Sequence, residues 1–167
     1  MVEKASFDFI KDKKFQWIST VVILLAIIIL ASNVRVSNWD LLNDATTGEK
    51  IPLALDPFYF LRQAEAYVAN DFTMPEVDEL RTYPFKESGW SEEIMPVANV
   101  FTWQIATIFS DLTLEEVVVF SPVLYFIIGL ILFFLLVYSL TESKITALLA
   151  SAFLATIPSY LYRTMAG

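Results

Sequence analysis

From Val117 to Leu140 the chain runs for 24 residues without a charged side chain, "VVVFSPVLYFIIGLILFFLLVYSL". A bilayer core of ~30 Å takes about 20 apolar residues in helical form, so this run has the length of a membrane span. Two further stretches resemble it, one near Trp17 to Asn33 and one from Ile145 to Tyr162. Hydrophobic residues make up 56% of the 167 and mean hydropathy is +0.58, against roughly 45–50% apolar in soluble domains. The expected fold is an all-α membrane protein with three transmembrane helices and a helical outer loop.

Several chemistries are excluded. There is no cysteine, so no disulfide framework and no thiolate. There is no histidine, so no Ser-His-Asp triad and no histidine-built zinc site. A net charge of −8 and a pI near 4.4 argue against nucleic acid as a partner. Catalysis by these residues has to rest on carboxylates, arginine, lysine or tyrosine.

Lys4, Lys11, Lys13 and Lys14 precede the first apolar stretch, which puts the N-terminus on the cytoplasmic side. A basic start before an apolar run also fits a cleavable signal peptide, but no small-x-small site follows. The expected order is a cytoplasmic start (1–14), a span (15–33), an exoplasmic loop (34–116), a span (117–140), a cytoplasmic turn (141–144), a span (145–162) and the start of a second outer loop (163–167). The outer loop carries 15 acidic and 5 basic residues. Asp56 and Arg163 then emerge on the same side of the membrane.

Within the loop two helices are expected. Asp56 suits an N-cap and Pro57 the first helical position, with Phe58, Leu61, Glu65 and Val68 at helical spacing after them. A second helix runs from about Ser91, as its cap, to Phe109. It is dense in aromatic residues, which suits packing on the spans or lying at the interface. Thr113 and Glu116 form a capping box that opens the second span. Pro122 and Pro158 fall inside spans, where each frees a backbone carbonyl.

Each candidate residue has two readings. Asp56 is either a helix cap or a carboxylate ligand for a hard cation such as Mg²⁺ or Mn²⁺, and one oxygen for each role is compatible with both. Arg62 pairs with Glu65 one turn on, or supports the site. Arg81 is solvated, or paired with Asp78 or Glu79. The consecutive acids of "VDEL" read as solvated rather than as a metal cluster. Arg163 ends an uncharged stretch, where it snorkels to the interface or meets an anionic lipid head group or a carboxylate.

"LDPFYFLRQAEAY", then "DELRTYPF", then "PSYLYRTMAG" resemble the catalytic subunits of STT3-type oligosaccharyltransferases, archaeal ones especially, in order and spacing. The resemblance implies the N-terminal part of a GT-C glycosyltransferase fold in the cell membrane, its active loop exoplasmic. It implies transfer of a polyprenyl- or dolichyl-(pyro)phosphate-linked oligosaccharide to asparagine in an acceptor polypeptide's N-x-S/T sequence. Asp56 matches the family's first-motif aspartate, which binds Mn²⁺ or Mg²⁺ and engages the acceptor amide. Arg163 matches the arginine before the second acidic motif, and Arg62 and Arg81 are supporting candidates. The family often has an acid two places before Asp56, where this chain has Ala54. The second motif, a later acidic ligand and a sequon-reading domain are expected beyond Gly167, so the chain by itself is expected to be inactive. The rival readings are another polyprenyl-phosphate-dependent GT-C transferase, or a non-enzymatic membrane protein whose outer loop binds a partner.

Overall fold

The computed structural model describes residues 12–74, 76–78, 84, 89 and 93–167. Among these residues six α-helices follow one another: α1 (Lys13–Arg35), α2 (Leu55–Ala69), α3 (Ile94–Ala106), α4 (Leu114–Thr141), α5 (Lys144–Thr156) and α6 (Pro158–Arg163). A 3-10 turn occupies Trp39–Leu41. Among the described residues there is no β-strand, only one antiparallel bridge between Asn43 and Lys50. The chain divides into two compact units. One comprises the described residues up to Ser37 with Val123–Met165, the other Asn38–Pro122 with Ala166–Gly167.

In the first unit, Asp12 caps α1, its Oδ1 accepting from Lys14 N at 3.0 Å. Leu24 and Ile28 of α1 pack with Phe126, Leu130 and Phe134 of α4 and with Ala147 and Ala155 of α5. Ala147, Ser151 and Ala155 recur every four residues and are all buried. Their small side chains let a neighbouring helix approach closely, as in membrane bundles. The rest of α1 is apolar outward: Ile18, Val22, Ile29 and Leu30 are each more than half exposed. A water-facing helix would be polar on that side, so lipid is the solvent this surface suits. Two helical stretches, Lys13–Leu41 and Leu114–Thr141, are long and apolar enough to cross a membrane.

The third apolar stretch differs from expectation. Residues 145–162 are not one helix; α5 ends at Thr156 and α6 begins at Pro158. Ile157 sits at φ −60°, ψ 122°. A residue before proline is driven out of the helical region, and proline has no N–H for the preceding turn. At 13 residues, α5 is ~20 Å long.

The break exposes carbonyls, and Arg35 meets one of them. Its side chain is fully buried. Nη2 donates to Ala155 O at 3.1 Å, Nη1 to Ala31 O at 3.0 Å and Nε to Thr164 Oγ1 at 2.8 Å. The guanidinium lies 3.5 Å from the centre of the Phe126 ring. Thr164 Oγ1 in turn donates to Tyr160 O at 2.7 Å. Arg35 falls inside the outer loop expected at 34–116; in the structure it is the last residue of α1 and ties α1 to the α5–α6 break.

In the second unit, Leu61, Ala64 and Tyr67 of α2 pack with Val100 of α3 and with Leu114 and Val118 of α4. Of the positions expected at helical spacing Leu61 joins this core, while Phe58 and Val68 are 44% and 40% exposed and Ala64 and Tyr67 take the buried side. The helix expected from Ser91 to Phe109 is described from Ile94 to Ala106; Ser91 lies outside the described residues. The box at the head of α4 forms reciprocally, with Glu116 N donating to Thr113 Oγ1 at 3.2 Å and Thr113 N to Glu116 Oε2 at 3.0 Å. Pro122 deprives Val118 O of its helical donor, and Ser121 Oγ supplies one at 2.9 Å.

Candidate functional site

Asp56 is not the cap of α2. Ala54, extended at φ −124° and ψ 162°, holds that position, and no side chain caps the helix. Asp56 is the second helical residue and Pro57 the third. The first intrahelical bond closes behind them, from Phe58 N to Ala54 O at 3.3 Å. The physical reason is that the first N–H groups of any helix lack an internal acceptor. Proline is tolerated within this first turn, where its missing N–H costs no bond, so the helix can begin at Leu55. The consequence is chemical: the Asp56 carboxylate is exposed and its oxygens are not used in capping. It lies at the positive end of the helix dipole. Around it the surface is apolar, with Leu53 64%, Leu55 87% and Phe58 44% exposed.

Arg62 lies two turns along α2. Beyond Glu65, whose carboxyl it stabilises electrostatically, its Nη2 forms an ion pair with Asp78 Oδ2. Asp78 is 1% exposed, so the expectation that the acids of "VDEL" are solvated fails for this one. An unpaired buried carboxylate is costly, and the guanidinium supplies the missing charge. Nothing in helical spacing points to this pair, because Asp78 follows the helix in irregular chain. Arg81 lies outside the described residues.

Glu65 has a different environment. Partial burial raises its carboxyl pKa, Glu115 raises it further, and Arg62 opposes them. Asp44 is shifted the other way. Bonds from the Thr46 side chain, Thr46 N and Thr47 N hold its pKa low and close the turn before Lys50.

The end of the chain docks beside the approach to α2. Gly167 N donates to Val119 O at 3.0 Å, and Asn38 Nδ2 donates to Ala166 O at 2.9 Å. A Cβ on Gly167 would stand 3.1 Å from Leu53 Cγ and 3.2 Å from Leu42 Cδ2, and its φ is +108°. Glycine is the residue that fits there. Thus the last residues of "RTMAG" and the residues leading into "LDPFYFLR" meet in one unit. Arg163 belongs to the other unit. It ends α6, is exposed, and makes no side-chain hydrogen bond or ion pair among the described residues.

The metal expectation meets a plain limit. Among the described residues no three acidic side chains gather as a cation site. Asp56 offers one carboxylate, where Mg²⁺ takes about six oxygens and several of those can be water. The described residues therefore do not make up a divalent-cation site by themselves.

Comparison with known proteins gives the chain its kinship. The family described as "Oligosaccharyl transferase STT3, N-terminal" matches residues 21–167. A curated relative is the dolichyl-phosphooligosaccharide-protein glycotransferase of Methanococcus voltae, 24% identical over 187 residues. The match takes in 98% of this chain and 20% of that relative, so the chain spans about a fifth of the relative's length. No solved structure matches it. A match over all but the first residues, taking in Asp56, Arg163 and the segments around them, is a family assignment: this chain belongs to the STT3 oligosaccharyl transferases and corresponds to their N-terminal region.

Proposed function

We propose that this chain is the membrane-embedded N-terminal part of a transferase that moves a dolichyl- or polyprenyl-(pyro)phosphate-linked glycan onto asparagine in an N-x-S/T sequence. The observation that carries the reading is the STT3 match over residues 21–167. Two features of the structure support it. The Asp56 carboxylate is exposed and uncommitted, and the Ala166–Gly167 end lies against Leu53, three residues before Asp56.

In this reading α5 and α6 together make a third, broken span of a GT-C fold, and residues 34–116 face the outside of the cell membrane. The acceptor amide is a weak nucleophile because its lone pair is delocalised into the carbonyl. Asp56 accepts a hydrogen bond from that amide, which weakens the delocalisation and aims the nitrogen at the sugar carbon. The apolar rim of Leu53, Leu55 and Phe58 lowers the local dielectric and strengthens the contact. Arg163, at the end of α6, holds the (pyro)phosphate oxygens of the donor. Mn²⁺ or Mg²⁺, taking Asp56 as one ligand among oxygens from outside the described residues, would supply charge neutralisation to the departing phosphate. The pair between Arg62 and the buried Asp78 fixes irregular chain against α2 and so supports the helix that carries Asp56.

The test is a glycan-transfer assay on the complete transferase polypeptide, with a polyprenyl-linked donor and an N-x-T peptide. Asp56→Asn is expected to lower turnover by about 100-fold or more, the scale of losing a group that acts on the transition state. Transfer that survives the substitution would remove Asp56 from the mechanism. Absence of any transfer by the unaltered polypeptide, across donors, would remove the reaction.

A further inference from the structure

We infer that the charged end of the first unit is a binding site for one anionic phospholipid. A cleft of about 760 Å³ opens there between the start of α1, the end of α4 and the start of α5. This lies within the usual size range of small-ligand pockets. Lys13 and Lys144 line it, with Trp17 and Tyr138 between them. Lys144 Nζ stands 4.5 Å from the centre of the Trp17 ring, and the Trp17 and Tyr138 rings meet edge to face at 5.2 Å.

The chemistry of the lining selects the ligand. Two ammonium groups face the cleft against one carboxylate, Glu142. Asp12, next to Lys13 in the chain, is engaged in capping α1. The N-termini of α1 and α5 both lie at this end, and their dipoles add positive potential. A phosphate monoanion fits that balance. Trp17 and Tyr138 are the amphipathic residues that sit at head-group level in membranes. From Lys13 the lining continues to Ile23 and Leu148, and ten helical residues span ~15 Å. The cleft thus offers cations at the membrane surface and an apolar path leading from them into the hydrocarbon. A phosphorylated head group with its acyl chain matches both parts, whereas free phosphate matches only the first. The inference holds whichever way the chain crosses the membrane, and it is independent of the glycan-transfer reading.

The test uses the full chain in nanodiscs, with Trp39, Trp90 and Trp103 changed to Phe so that Trp17 reports alone. Brominated phosphatidylglycerol is compared with brominated phosphatidylcholine as quencher at equal mole fraction. The anionic lipid is expected to be preferred about fivefold or more, the scale of one lysine contact near a membrane surface. Lys13→Gln with Lys144→Gln should abolish the preference. Lys14→Gln, which removes one charge at a neighbouring residue outside the cleft lining, should leave it. Equal quenching by the two lipids, survival of the preference in the double variant, or equal loss in Lys14→Gln would each overturn the site. A saturable Trp17 response to inorganic phosphate in purely zwitterionic discs would overturn the lipid assignment. Native mass spectrometry of the unsubstituted chain gives an independent reading. One retained phosphatidylglycerol is expected, and retention no greater than that of phosphatidylcholine counts against the proposal.

Discussion

Each unit sets a charge committed to the fold against an exposed one. In the first, Arg35 is fully buried, with three hydrogen bonds and a ring beneath it, while Arg163 is exposed and unpartnered among the described residues. In the second, Asp78 is buried against Arg62, while Asp56 is exposed with its oxygens unused in capping. A buried charge must be matched by partners, so its position records what the fold requires. An exposed charge beside apolar surface has no such obligation and is available for a ligand. In the proposed function these two exposed charges are the ones that meet the donor phosphate and the acceptor amide.

The contrast can be broken most readily at Arg35. Arg35→Ala removes the donor to Ala155 O and the bond to Thr164, and is expected to cost about 2–4 kcal/mol of stability, read by thermal unfolding in detergent. Arg35→Lys should recover little of this, because one ammonium cannot reproduce the planar fork that spans three acceptors. An Arg35→Ala chain as stable as the original would show that the α5–α6 break needs no buried cation.

Asp78→Asn is expected to cost less, about 1–2 kcal/mol, because its partner Arg62 remains 30% exposed and water can take over part of the pairing. Arg62→Met combined with Asp78→Asn should be less damaging than the sum of the two. Full additivity would mean that the pair does not act as a unit. Ser121→Ala is smaller again, about 1 kcal/mol, from the loss of the bond that Pro122 makes necessary at Val118 O.

The smallest effect concerns Glu65. Its folded-state pKa is raised, so the folded chain binds that proton more tightly than the unfolded chain does. Stability from this group therefore increases as pH falls towards the ordinary carboxylate range, and is lost as pH rises through the folded pKa. Glu65→Gln should flatten the pH dependence of unfolding in the weakly acidic range and raise stability slightly at neutral pH. An unchanged pH profile would place the group in water.

What the sequence made legible follows the same division. The second span was readable because 24 uncharged residues admit few alternatives, and the Thr113–Glu116 box marks its start by local spacing alone. The cap of α2 was misread because proline is tolerated throughout the first turn, so Pro57 does not fix where the helix begins. The Arg62–Asp78 pair is not legible in the sequence because Asp78 is a neighbour in space and not in helical register. Arg35 was missed because its burial depends on a break at Ile157, 122 residues later, that exposes the carbonyl it meets. The first charge after an apolar run was the available signal, together with the proline waiting in the third stretch.

The most direct test measures two properties of one substitution, Asp56→Ala, in the complete transferase polypeptide: glycan transfer and thermal stability. A capping residue would lose about 0.5–2 kcal/mol of stability on this change and keep its chemistry. The structure gives Asp56 no cap to lose, so unfolding should be nearly unchanged while transfer to an N-x-T peptide falls by about 100-fold or more. Near-normal transfer, with or without a stability loss, would contradict the account and return Asp56 to the role of a helix start.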